Sequence, residues 1–456
     1  MSELRYAKTL SVVDHHDVVV CGGGTAGCAA ALAAARQGLR VLVLEDQGQL
    51  GGTGTSGQVS HWLGGREVDG TWVVGGIFRE LAEEAERQGI TLIPQDTDPP
   101  SKYTPHGWLK GLLHGIPFDP HLMAGFLDRK MAANGVKVLL RTRAVDIERE
   151  GERIRHVLFH NKSGLQAVSA GAVIDSTGDA DIAALAGCPF EKGREEDGAM
   201  TPVTLELHVD NVDQDAYADY VYENDAPRMR EFIQRKRATG AWTQNADIFI
   251  CVQLTEKGVM MLNTTRVCGI DGTDGASLTE GMVRGREEIE WLIGFLREHM
   301  PGFSEVRIKS IAPMLGVRET RRIGGEYRLT VEDLMSEKTF RDTVGWSSYG
   351  WDLADPKRPS HQPMHGRPRP EVTPIPYRIL VPRGIDNLIC PGRSVSVERQ
   401  VLGPLRVMAP VMAMGQAAGT AAEQVIRRDM AFREIDTEVL RDQLRREDAI
   451  IEPPVV

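Results

Sequence analysis

Residues 17–45 read DVVVCGGGTAGCAAALAAARQGLRVLVLE. Positions 17–21 have the composition of a buried strand, and three glycines follow at once. Gly22, Gly24 and Gly27 fill the spacing GxGxxG. The first lets the chain turn tightly out of the strand. The second lets main chain approach a pyrophosphate without a Cβ between them, and the third lets a helix pack close to the strand. The spacing predicts a helix over 25–37, ended at Gly38, and a second strand over 40–44. The first turn, at Thr25 and Ala26, offers unpaired N–H groups and partial positive charge to phosphates. Glu45 ends the second strand, where an acid bonds ribose hydroxyls, and Asp46 follows it. The unit predicts a dinucleotide site.

Three further stretches point to a flavin dinucleotide, FAD. Gly51, Gly52, Gly54 and Ser56 continue the path beyond Glu45. The stretch VIDSTGDADIAALAG returns toward it with Thr177, Gly178 and Asp179, and Ala144 is placed on the same path. The late segment NLICPGRSVSVERQVLGPLRVMAPVMAMGQAAGTAAE adds Gly392 and Arg393. It ends in a helix over 410–428 whose Gly415, Gln416 and Ala417 have little bulk, so that main chain can lie against a flat ring or the helix can pack tightly on another. Pro410 suits that helix's first turn.

The βα grammar of the first 200 residues lapses near Thr204 and returns at DNLICPGR. The expected architecture is α/β: a Rossmann-like FAD-binding domain over 15–203 and 376–430, interrupted by an α+β substrate domain over 204–375 with a mainly antiparallel sheet. A helical tail covers 431–456. TLELHVDNV, IFICVQLTE and VMMLNTTRV read as its strands, 278–299 as a long helix, and 77–88 as an amphipathic helix. Two irregular stretches, 94–117 and 346–370, carry prolines.

Composition narrows the function classes. The 456 residues carry a formal net charge of −11, so there is no basic footprint for nucleic acid or an anionic membrane. The N-terminus lacks an apolar signal core, and no run of 18 apolar residues spans a bilayer, which predicts a cytoplasmic protein. The six cysteines form no CxxC and read as small buried side chains in a reducing compartment. No metal-ligand spacing appears.

Four segments together carry a resemblance: DVVVCGGGTAGCAAALAAARQG with LVLE…GG, VIDSTGDADIAALAG, LGVRETRRIGGEYRLTVEDL, and the late NLICPGRS…GTAAE segment. The chain resembles the FAD-dependent oxidoreductase family of the glutathione-reductase-type flavoprotein fold, a distant relative of fumarate reductase and succinate dehydrogenase flavoproteins. The resemblance implies a non-covalently bound FAD beneath a substrate domain. It also marks a departure: where many relatives carry Thr-His-Glu, this chain has Glu398-Arg399-Gln400. Arg399 stays protonated and would act as an anion clamp, not a proton carrier.

Candidate chemistry centres on arginine. In VRETRR, Arg318 and its neighbours Arg321 and Arg322 can offer a bidentate fork to a carboxylate, or pair with Glu319 and other acids. Arg406 precedes the flavin-side helix and either holds substrate or makes an interdomain pair. His61 follows the loop expected beside the flavin, as a proton donor, a polar contact, a covalent anchor or a structural residue. Tyr349 and Trp351 read as packing aromatics or as a cap on the ring or substrate, Asp352 and Asp355 as solvated loop acids or binding groups, and His15 and His16 as surface residues. The function expected is hydride transfer between flavin N5 and a small organic substrate bearing a carboxylate or other polar group, with a separate electron acceptor or oxygen as partner. An oxidase or hydroxylase using oxygen directly, and a non-redox FAD lyase or isomerase, stay open.

Overall fold

The computed structural model describes residues 7–95, 114–357 and 372–454. Parts of the two proline-bearing stretches lie outside them. The principal sheet has seven strands. Lys137–Leu140, Val41–Glu45, Val12–Cys21 and Gly164–Asp175 lie side by side in that order and run parallel. Leu388–Ile389 also pairs in parallel with Gly164–Asp175. Arg143–Glu150 and Arg153–Asn161 extend the sheet as an antiparallel meander. Strands covered on both faces must be apolar throughout, and VVVC and VLVLE are fully buried.

The first strand begins at Val12, ahead of the expected 17. His16 is therefore no surface residue. It is buried, pairs in register with Ala170, and places Nε2 3.0 Å from Asp14.

Helix Thr25–Arg36 packs against Met408–Arg428 on one sheet face, in the main apolar core. Alanine dominates the first helix because the two backbones lie so close. A methyl group added at Gly415 would sit 2.1 Å from the carbonyl oxygen of Ala26, and one at Gly419 equally close to that of Ala30. Gly415, Gln416 and Ala417 do not line the cavity described below. Gly415 and its neighbours serve helix packing, while Gln416 accepts the Ile77 N–H at 2.9 Å and donates to Glu447.

A second sheet is antiparallel, in the order Cys251–Gln253, Met260–Leu262, Leu207–Asp210 and Arg307–Ile311. Its strands are shorter than the sequence suggests, and the last was not legible as a strand. With helix Gly275–His299 it encloses a separate apolar core. The sheet grips the loop after Gly51. His208 Nε2 donates to the Gln58 carbonyl at 2.9 Å, and Ser310 Oγ donates to Gln58 Oε1 at 3.1 Å. Among the described residues, no helix is long and apolar enough to cross a membrane. All six cysteines are free, and five are buried.

Candidate active site

A cavity of about 930 Å³ runs from the first βα turn, along the C-terminal ends of the parallel strands, to the underside of the antiparallel sheet. That is where open α/β sheets bind ligands.

At the turn, the three glycines answer three separate demands. Gly22 has φ +99°, and a Cβ there would lie 2.4 Å from the Ser176 carbonyl oxygen. A Cβ at Gly27 would lie 1.9 Å from the Gly22 carbonyl oxygen, so only glycine lets helix meet strand. Gly24 differs: an added Cβ would meet nothing nearer than 3.9 Å. Its bareness serves space in the cavity, which it lines with Gly22, Thr25 and Ala26. Gly392, at φ +123°, lines the same cavity and has the same 3.9 Å of room. Two bare stretches of main chain from opposite ends of the sequence thus face one space, beside a helix N-terminus.

Glu45 lines this space and is buried. Its carboxylate accepts the N–H groups of Gly23 and Gln47, each at 2.6 Å. Burial raises its pKa, and those two N–H groups oppose the rise. Asp46, Gly52, Ala144, Thr177, Gly178, Asp179 and Arg393 line the cavity too. Asp179 Oδ1 accepts from Arg393 Nη2 and Thr320 Oγ1, both at 2.7 Å. Gly51, Gly54 and Ser56 do not reach the cavity. Gly51 instead bonds its N–H to the Gly23 carbonyl at 2.9 Å and holds the loop against the turn. Gly54 is packed under Phe118 and Met408, and Ser56 is buried beneath the loop.

At the other end, Arg318 lines the cavity with a partner that sequence reading missed, Arg266. Both guanidiniums converge on Thr204 Oγ1, Arg266 Nη1 at 2.8 Å and Arg318 Nη1 at 2.7 Å. Both also donate to Asn263 Oδ1, at 3.2 Å and 2.9 Å. Among the described residues, neither guanidinium has a carboxylate in salt-bridge contact; Glu288 accepts the Arg266 backbone N–H instead. Burial lowers the pKa of each; the Arg406 cation depresses both and Arg266 depresses Arg318, while the nearby Glu206 and Asp352 carboxyls oppose the fall. Glu206, two residues beyond Thr204, lines the cavity as well. It is fully buried, and neither carboxyl oxygen has a hydrogen-bond partner. Burial pushes its pKa up against the pull of Arg318 and Arg266. A signal for it was present: in TLELHV, apolar Leu205, Leu207 and Val209 alternate with Thr204, Glu206 and His208, a period-two pattern with a polar inner face.

The remaining candidates separate. Arg406 lines the cavity but is closed on Asp352, donating to its Oδ2 at 3.0 Å and its carbonyl at 2.8 Å. Tyr349 Oη donates to the same carboxylate at 2.8 Å. Asp352 is therefore no solvated loop acid, and Tyr349, Trp351 and Asp352 all line the cavity. Arg321 and Arg322 turn away, to Asp181 and Glu319 respectively. Arg399 is not a free anion clamp. Its fork is filled by Glu319, Nε to Oε1 at 2.7 Å and Nη2 to Oε2 at 2.8 Å, outside the cavity. His61 lines the cavity, buried, with its pKa depressed to about 3 by burial and by neighbouring His114. Its imidazole is neutral at pH 7.

This fold and this cradle define a dinucleotide-binding flavoprotein of the two-sheet, capped kind. The chain belongs to the FAD dependent oxidoreductase family, whose model matches residues 17–444. The fold is similar to that of the myxobacterial FAD-dependent chondrochloren halogenase, at 13% identity, covering 95% of this chain and 79% of that one with a TM-score of 0.51. Other solved structures are more loosely similar. A geranylgeranyl bacteriochlorophyll reductase-like protein from Thermoplasma acidophilum has 12% identity, coverage of 95% and 83%, and a TM-score of 0.47. The p-nitrophenol 4-monooxygenase of Pseudomonas putida DLL-E4 has 12% identity, coverage of 94% and 83%, and a TM-score of 0.46. No curated protein matches.

Proposed function

We propose that this FAD-dependent oxidoreductase transfers a hydride between flavin and a small organic acid whose carboxylate is held by Arg318 and Arg266. The observation that carries the reading is the arginine pair itself: two cations share neutral acceptors, without a carboxylate partner, on the wall of the cavity that holds the dinucleotide cradle. Two like charges held together with no carboxylate in hydrogen-bond contact are a site prepared for one.

The cradle fits FAD. Gly24 and Gly392 leave open space beside main chain at a helix N-terminus, as a diphosphate requires. Gly22, Thr25, Ala26, Thr177 and Gly178 would complete the phosphate contacts, with Glu45 and Asp46 at the ribose. Bound FAD would supply two-electron chemistry that side chains lack. The chain's own residues bind and orient. Arg318 and Arg266 fix the carboxylate end of the substrate, and neutral His61 offers a polar contact without adding charge. Arg406, locked to Asp352, holds that part of the wall in place. In this reading 15–203 and 376–430 bind the cofactor and 204–375 covers it.

Anaerobic mixing of the FAD-loaded protein with small carboxylic acids and their amides tests the reading. Bleaching of the flavin band, or its reversal in the reduced protein, is expected with acids alone, and weakened by Arg266→Met and Arg318→Met. Equal response to the uncharged amides overturns it.

A further inference from the structure

We propose that Glu206 is a specificity-determining residue: it meets a hydrogen-bond donor on the ligand whose carboxylate the Arg266–Arg318 pair holds. The site then selects small acids bearing a hydroxyl or an ammonium close to the carboxylate. The inference rests on the anion reading above and narrows its substrate class.

Thr204 and Glu206 lie two residues apart on one extended segment, tied by Thr204 to Gly316 and by the Glu206 carbonyl to Ala312. Residues two apart on extended chain face the same way, about 6.6 Å along it. Leu205 and Leu207 accordingly enter the apolar core, while Thr204 and Glu206 line the cavity. The place where both arginines converge and the Glu206 carboxyl are therefore neighbours on one wall. That spacing suits a carboxylate and a polar group on an adjoining carbon.

Glu206 is the unfinished part of this wall. Buried polar groups are almost always hydrogen-bonded, yet both of its carboxyl oxygens lack a partner. The arginines do not fill them, since their hydrogen bonds go to Thr204, Asn263, Pro202 and Thr265. Arg406 Nη2 and Tyr349 Oη, which also line the cavity, are bonded to Asp352. A ligand O–H or N–H presented beside the anion site supplies what the protein does not.

Calorimetric titration of the FAD-loaded protein with propionate, lactate and alanine tests this directly. Propionate has the carboxylate alone, lactate adds a hydroxyl, and alanine adds an ammonium. Lactate, alanine or both are expected to bind about tenfold tighter than propionate, as one added charge-assisted hydrogen bond allows. Which of them does so identifies the donor. Glu206→Met should reduce that preference to none, whatever its effect on propionate itself. Should that variant misfold, Glu206→Leu also removes the acceptor and should bring lactate and alanine down to the level of propionate. Equal binding of all three acids, or a preference that survives both substitutions, overturns the role of Glu206. Arg318→Met separates the two readings. Loss of affinity for all three acids upholds the anion site. No effect on any of them, or no binding by the wild type, overturns the anion site and this inference with it.

Discussion

Arg399 sets its guanidinium edge-on against Glu319, with two bonds of 2.7 Å and 2.8 Å, and Glu319 has essentially no exposed surface. The same carboxylate accepts from the Thr201 N–H at 2.9 Å, Thr201 Oγ1 at 2.8 Å and Arg322 Nη1 at 3.1 Å. One buried anion thus ties together the segment entering the antiparallel sheet, the segment leaving it, and the late segment that returns to the cofactor.

Among the described residues, removing that anion leaves Arg399 without a carboxylate and Arg322 with only Glu191, 3.4 Å away. Glu319→Gln is expected to cost about 3–5 kcal/mol, as breaking a buried pair does. Urea unfolding monitored by circular dichroism measures it. A loss below about 1 kcal/mol would mean that the network is not the tie described. Arg399→Met should cost less, because Arg322 stays bonded to Glu319.

Gly24 and Gly415 should respond in opposite ways to the same methyl group. At Gly24 there is open room and ordinary φ (−67°), so Gly24→Ala should fold with stability near that of the wild type. Its FAD affinity should fall at least about tenfold, because the methyl occupies the space meant for phosphate. At Gly415 the methyl meets the Ala26 carbonyl, so Gly415→Ala should lose about 1–3 kcal/mol by overpacking. Thermal unfolding of the apoprotein and flavin titration distinguish the two. Normal FAD binding by Gly24→Ala would remove the pyrophosphate assignment.

Glu206 makes a stability prediction independent of any ligand. Its folded pKa is raised by burial above the ordinary 4.5. As pH rises past that value, the unfolded chain gives up the proton while the folded chain keeps it, so the folded state binds more protons and unfolding free energy falls. Glu206→Gln should abolish this fall and grow more stable, relative to wild type, from about pH 4.5 upward. Denaturant midpoints between pH 4 and pH 8 measure the difference; a difference independent of pH refutes it.

The buried histidines act in the other direction. His61 and His208 are depressed to about 3 and about 4, burial being the main cause in each, against an ordinary 6.5. Below about pH 6.5 the unfolded chain takes up their protons first, so stability falls as pH drops toward 4. His208→Gln should lessen that acid slope by about one proton. An unchanged slope would show that His208 is protonated in the folded protein.

The first βα unit was legible because its demands are local. A strand, a bare turn and a helix are set by neighbours in the chain, and the spacing of Gly22, Gly24 and Gly27 expresses sterics that act over a few residues. The acid at Glu45 and the return at Thr177–Gly178 follow from the same unit. The antiparallel strands were harder, since three to five residues carry little periodicity, and the central one gains its order from distant partners, Leu207 from Leu262 and Ile311.

What the sequence alone determined is the cofactor end: bare main chain where a diphosphate must come close. Only the tertiary structure decided which polar side chains are free to act. Arg399, Arg406 and Arg318 look alike in sequence, yet the first is closed on buried Glu319 and the second bonded to half-buried Asp352, while the third stands with Arg266 beside an unpartnered Glu206. Charge pairing is settled by whichever distant carboxylate folding brings within about 3 Å, and no local pattern records that distance.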